Sequence, residues 1–140
     1  MGKKETLLAE LTSADLTGYL PQIHDVLVAS GLKFERPENS QTLFYFVRNT
    51  EKKKVGLAAL RVRGSFLFSF PKRYWSPRAQ EVDAALFGVL PSSIVETEGR
   101  GSSSQYSMRQ VAVSTHTLPI LLRVIAGVIA DNARRVIGNV

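Results

Sequence analysis

"TLFYFVRNTEKKKVGLAALRVRGSFLFSF", residues 42–70, decides the fold of this chain. It holds three apolar runs separated by two short polar breaks. "TLFYFVR" (42–48) is a continuous aromatic and β-branched run, the pattern of a strand covered on both faces. "NTEKKK" (49–54) has the length of a hairpin turn, and "VGLAALRVR" (55–63) reads as the returning strand. Gly64 and Ser65 permit a second tight reversal. In "FLFSF" (66–70), Phe66, Phe68 and Phe70 alternate onto one face, which is the expected core side, and Ser65 and Ser69 point the other way. Parallel strands need crossovers of a dozen residues or more. Links this short therefore predict an antiparallel meander.

The flanking segments change period from two to 3.6. Upstream, "KKETLLAEL" and the stripe Leu16, Leu20, Ile23 and Leu27 predict helix, with "TSAD" (12–15) as a capping box, Pro21 as a kink and Gly31 as a stop. "LKFERPENSQ" (32–41) reads as a polar connection. Downstream, Ser76 and Pro77 predict a helix start, with Val82, Leu86 and Val89 on the buried side and Pro91 beyond the end. "SIVETE" (93–98) and "QYSMRQVAVS" (105–114) predict two further strands around the turn "GRGSSS". The last helix begins near Thr115 or Thr117 and runs to about Ile137. Its apolar stripe spans roughly 160° at about 100° per residue, enough to make it the main packing partner of the sheet. The expected architecture is α+β: a two-layer, mostly antiparallel five-stranded sheet packed by helices, in the order α(α)-β-β-β-α-β-β-α. Residues 1–140 read as a single α+β domain, since about 100–200 residues is the usual domain size.

Composition removes several classes of chemistry. Without cysteine there is no disulfide, thiolate ligand or cysteine nucleophile. The most apolar stretch, "LPILLRVIAGVIA" (118–130), contains Arg123 and falls short of the roughly 20 residues a membrane-spanning helix needs. The expectation is a soluble, cytoplasmic protein with no membrane partner. The two histidines, His24 and His116, have no second ligand at metal-binding spacing, and no cofactor is implied. Glu96 and Glu98, two apart on a strand, would share a face. Glu38 with Glu51 and Lys53 has the letter pattern of a metal-dependent nuclease, although Glu51 and Lys53 fall in the expected hairpin turn. A small metal-dependent hydrolase is therefore the third-ranked reading. "GRGSSS" precedes a strand rather than a helix, which argues against a phosphate loop.

Charge supplies the leading functional signal. The formal net charge is +6, yet residues 48–78 alone carry nine Lys/Arg against one Glu. In a meander the 49–54 turn and the 70–78 segment fall at the same end of the second and third strands, with Arg61 and Arg63 at the other end. This predicts a basic face made by Lys52, Lys53, Lys54, Lys72, Arg73 and Arg78, with Tyr74 and Trp75 available to stack a base. The alternative for the two aromatics is to cover the core where the next helix docks. The chain thus reads first as a non-enzymatic binding domain whose partner is a nucleic acid or another polyanion. The second reading is a self-associating interaction module using Leu118, Ile120, Val124 and Val128 of the last helix.

Overall fold

The computed structural model describes residues 18–36, 42–61, 66–95 and 107–138. The elements are α1 (Tyr19–Ala29), β1 (Lys33–Glu35), β2 (Thr42–Arg48), β3 (Lys54–Arg61), β4 (Leu67–Pro71), α2 (Lys72–Trp75), α3 (Ala79–Ala85), β5 (Ile94–Val95) and β6 (Ser107–Ala112). A last helix, α4, is built from Leu118–Val124, a wider π turn at Ile125–Ile129, and Ala130–Ile137. The strands form one antiparallel sheet in the order β1-β2-β3-β4-β6-β5. The α+β class, the meander and its antiparallel sense are as the sequence predicts. The five expected strands are present, and a sixth lies at the edge. Lys33–Glu35 sits within the segment read as a polar connection and pairs with Phe44–Phe46 of β2. Its exposed–half-buried–exposed pattern offers only Phe34 to the core, too weak a period to mark a strand from sequence.

Leu43, Tyr45 and Val47 of β2 alternate onto the core face, joined by Leu57, Ala58 and Leu60 of β3, Phe68 and Phe70 of β4, and Val111 of β6. Leu20, Ile23 and Leu27 of α1 meet this face with Val82, Leu121, Ile125 and Ile129 from the later helices. The β2–β3 register slips between Tyr45 and Phe46, so Leu57 stands as the extra residue of a bulge and is fully buried. The opposite sheet face is not wholly wet: Ser69 is buried and accepts a hydrogen bond from Gln110 Nε2 at 3.3 Å.

The corner after β4 departs from the expected form. Helical backbone begins at Lys72, directly after Pro71, rather than at Ser76. Ser76 is itself helical, and its side chain makes no capping bond. Pro77, which has no N–H to donate, sits inside the resulting 3₁₀ turn at Ser76–Arg78, and α-helix resumes at Ala79. That helix ends at Ala85, ahead of Gly88 at φ 97°, well before Pro91. Among the described residues, no helix is long and apolar enough to cross a membrane.

Candidate nucleic-acid interface

The tip of the β2–β3 hairpin is built around Asn49. Its carboxamide oxygen accepts from the backbone N–H of Glu51 (2.9 Å) and of Lys53 (3.0 Å), and Lys52 N–H donates to Asn49 O at 2.9 Å. This turn requires a left-handed residue before the strand resumes, and Lys52 occupies that position at φ 64°. Glycine or asparagine would sit there with less strain. Arg48 clamps the same turn by donating to Lys52 O at 2.9 Å. The result is a rigid tip from which Lys52, Lys53 and Lys54 all project exposed.

Opposite the tip stands the corner made by Pro71 and α2. Registered pairing of β3 with β4 covers only Ala59–Arg61; beyond Ser69, β4 stays paired with β6 as far as Pro71 while β3 runs back to Lys54 beside β2. The two chains diverge around a cavity of about 480 Å³, lined by Asn49, Lys53, Lys54, Val55 and Gly56 on the hairpin side and Pro71, Arg73 and Tyr74 on the corner side. Thus the meander brings together Lys53, Lys54 and Arg73, as the sequence predicts. Lys72 and Arg73 are exposed and have no side-chain partner among the described residues. Lys53 lies 3.5 Å from Glu51, and Lys54 bonds Glu35 on β1, both in exposed pairs that water largely screens. Arg61 is exposed at the far end of β3, opposite Thr42, and Arg63 lies outside the described residues.

The two aromatics of the corner do not form a stacking platform. Trp75 is fully buried. Its ring packs edge-on against Phe70 and Tyr74, with centroids 5.7 and 4.9 Å away, and its indole N–H donates to Leu57 O at 2.9 Å. The bulge that makes Leu57 the extra residue leaves its carbonyl in need of a donor, and the indole supplies one. Tyr74 is half-buried. The Arg78 guanidinium lies 4.1 Å over its ring, and its hydroxyl donates to Asn132 Oδ1 at 2.6 Å. Burial pushes that hydroxyl's pKa upward. Arg78 is half-buried and committed to Tyr74, through its ring and its carbonyl at 2.9 Å. Trp75, Tyr74 and Arg78 are therefore parts of the corner's framework: Trp75 offers a base no face, and Arg78 covers one face of Tyr74.

Sequence reasoning missed the third contributor to this end of the molecule. Asn132, fully buried in the second half of α4, accepts from Tyr74 and donates to Glu81 Oε1 (3.2 Å) and Val128 O (2.8 Å). That network docks the end of α4 beside the corner. Gly138, at φ 92°, comes so near the hairpin tip that a Cβ there would stand 3.0 Å from Thr50 Cγ2. Arg134 and Arg135 occupy this last turn, where cations also offset the helix dipole. Arg135 reaches Glu81 at 3.7 Å, and Arg134 pairs with Asp131. The sequence signal was an asparagine on an otherwise apolar helical stripe, the mark of a buried polar contact.

The other sites read from sequence fare differently. His24 is a core residue: buried, edge-on to Phe34, its Nδ1 2.8 Å from Tyr45 Oη. Burial holds its pKa below the usual value, with Asp25 pulling the other way. Glu51 is an exposed turn residue beside Lys53, which does not give the converging strand geometry a metal-dependent nuclease needs. Glu38, Glu96 and Glu98 lie outside the described residues. Of the four residues read as an interface, Val124 is in the core, and Leu118, Ile120 and Val128 are half-buried against it. The stripe on α4 is wide because it serves α1 and the sheet together. The large apolar side chain most exposed among the described residues is instead Phe87, at 83%.

Compared with known proteins, the chain matches no protein-family model, no curated protein and no solved structure.

Proposed function

We propose that this protein binds nucleic acid through its phosphate backbone, at the end of the molecule where the hairpin tip, the Pro71 corner and the last turn of α4 meet. The observation that carries the reading is the cavity lined jointly by Lys53, Lys54 and Arg73, which come from segments some twenty residues apart in the chain. Lys52 and Lys72 flank it, and Arg134 and Arg135 extend the same end. The described acids that share this end, Glu35, Glu51, Glu81 and Asp131, are each paired with a cation already named, which leaves Lys52, Lys72 and Arg73 uncompensated among the described residues.

The fate of the aromatics sharpens the chemistry. With Trp75 buried and Tyr74 covered by Arg78, the contact is to phosphate and not to a stacked base. Such binding tolerates any sequence and weakens steeply with salt, because it is driven by released counterions. Lys52 fits this role: its left-handed backbone is tolerated at a place where glycine would relax the turn, and the lysine keeps a cation at the tip.

The test is fluorescence anisotropy with DNA and RNA oligonucleotides in low salt, comparing the wild type with Lys53→Glu/Arg73→Glu and with Arg123→Glu, which lies away from the site. The double reversal is expected to weaken binding by roughly tenfold or more, while Arg123→Glu changes it by less than about twofold. Unaltered anisotropy of both DNA and RNA at micromolar wild-type protein would refute the proposal.

A further inference from the structure

The cavity between hairpin and corner is more than a patch of charge. Three features give it the form of a seat. First, it is backed by protein on its inner side. The indole of Trp75 bridges the corner and the Leu57 carbonyl, next to Gly56 of the cavity lining. A strand end can enter a concavity backed in this way without the chain having to continue past it.

Second, its donors are held in place. The Asn49 oxygen is committed to two backbone N–H groups, so the turn fixes the carboxamide, and its Nδ2 has no partner among the described residues. Arg73 lines the opposite wall, also without a side-chain partner. Lys53 supplies charge from the hairpin wall, whereas the Lys54 ammonium bonds Glu35 across β2, over the Phe46 ring. A fixed amide, a guanidinium with no acid beside it among the described residues, and the Lys53 ammonium, held only by an exposed ion pair, suit an acceptor with several oxygens and more than one negative charge. A phosphomonoester, at about −1.5 to −2 near neutral pH, meets that description; an internal phosphodiester carries a single charge.

Third, the floor is open. A Cβ built on Gly56 would meet only Pro71 Cγ, at 3.8 Å. The cavity's size, about 480 Å³, falls within the range of roughly 300–1,000 Å³ usual for small-ligand sites. It exceeds what a bare phosphate requires and leaves room for the sugar that bears it.

We infer that this cavity binds the terminal phosphate of a nucleic-acid strand, gripped by Asn49, Lys53 and Arg73 with the attached sugar over Gly56. The inference rests on the nucleic-acid reading above and adds to it a preference for phosphorylated ends. The test is competition by short single-stranded oligonucleotides of one sequence, carrying a 5′-phosphate, a 3′-phosphate or hydroxyls at both ends. At least one phosphorylated form should compete about threefold or more better than the hydroxyl form, and the two arms identify which end is seated. Gly56→Val fills the floor while leaving every cation in place, and valine suits an exposed strand position. It should abolish that advantage, read as the ratio of phosphorylated to hydroxyl affinity within the same variant. Arg73→Ala should abolish it too, which guards against a folding defect in the glycine variant. Equal competition by all three oligonucleotides in the wild type would overturn the terminal-phosphate seat and leave backbone binding standing. Persistence of the advantage in both variants would place it elsewhere and likewise overturn the inference. No competition by any of them would overturn the nucleic-acid reading itself.

Discussion

Trp75→Phe separates the two roles a corner tryptophan can have. In the structure its indole N–H is the donor to the Leu57 carbonyl at 2.9 Å, and the ring is fully buried between Phe70 and Tyr74. Phenylalanine keeps a ring in the same place but removes the donor. A buried carbonyl left unpaired costs about 1–3 kcal/mol. The smaller ring leaves a cavity worth roughly another 1 kcal/mol. The expected loss is about 2–4 kcal/mol, a large share of the 5–15 kcal/mol typical of a domain. For this chain length that corresponds to a fall in Tm of about 10 °C. Urea and thermal unfolding followed by circular dichroism would measure it. Oligonucleotide affinity, taken well below the lowered Tm, should change by less than about threefold. Because Trp75 is the only tryptophan, the wild type offers a second readout. Its emission should be blue-shifted, protected from acrylamide, and not quenched by stacking when nucleic acid binds. The reasoning fails if Trp75→Phe leaves stability within about 0.5 kcal/mol and lowers affinity tenfold, for Trp75 would then be acting on the ligand and not on Leu57.

The remaining expectations concern the tip, the core histidine and the salt dependence. Lys52→Gly relieves the left-handed strain and should raise stability by up to about 1 kcal/mol in urea unfolding, while weakening oligonucleotide binding. Asn49→Ala removes the acceptor of two backbone N–H groups and should cost about 1–2 kcal/mol by the same assay. Burial lowers the pKa of His24 below its unfolded value of 6.5, so its contribution to stability is whole above that pH and is lost as pH falls through the folded value. Burial raises that of its partner Tyr45, whose contribution is whole below pH 10 and lost as pH rises further. A stability profile for His24→Gln should therefore lose the acid-side slope that the wild type shows below about pH 6.5. If roughly four phosphates are neutralised, log K against log salt should fall with a slope of about −3 on single strands. A slope near zero would rule out a phosphate-backbone contact.

How much of this was legible in the sequence depends on how local the cause is. The meander was legible because strand period, turn residues and link length are all read within a few positions. The edge strand Lys33–Glu35 was not, because it exists by pairing with Phe44–Phe46 and carries one inward residue. The corner was misread at Ser76–Pro77 for a related reason. That pair is a valid start signal in isolation, but helical backbone had already begun at Lys72, and proline then acted as an interruption instead of an opening. The π turn at Ile125–Ile129 likewise has no local signature; it alters the phase of α4, so a uniform rotation per residue does not describe which of its side chains are buried.

The candidate site divides along the same line. That Lys53, Lys54 and Arg73 converge follows from topology alone: a strand that returns along its neighbour must bring the first turn and the last residue together. Which way Trp75 and Tyr74 face does not follow from topology. It depends on a carbonyl freed by a bulge at Leu57 and on an amide, Asn132, nearly sixty residues further along the chain. Both aromatics were claimed by unmet hydrogen-bonding groups of the fold, because a buried unpaired group costs more than an exposed ring gains by waiting for a ligand. Lys52, Lys72 and Arg73 met no such competing demand among the described residues, whereas Arg78 did. Desolvation keeps lysine and arginine at the surface whatever their role. The placement of a basic cluster by connectivity is therefore more legible in sequence than the orientation of the aromatic residues beside it. Within residues 70–78, Phe70 and Trp75 belong to the core, and Lys72 and Arg73 are left exposed for the proposed ligand.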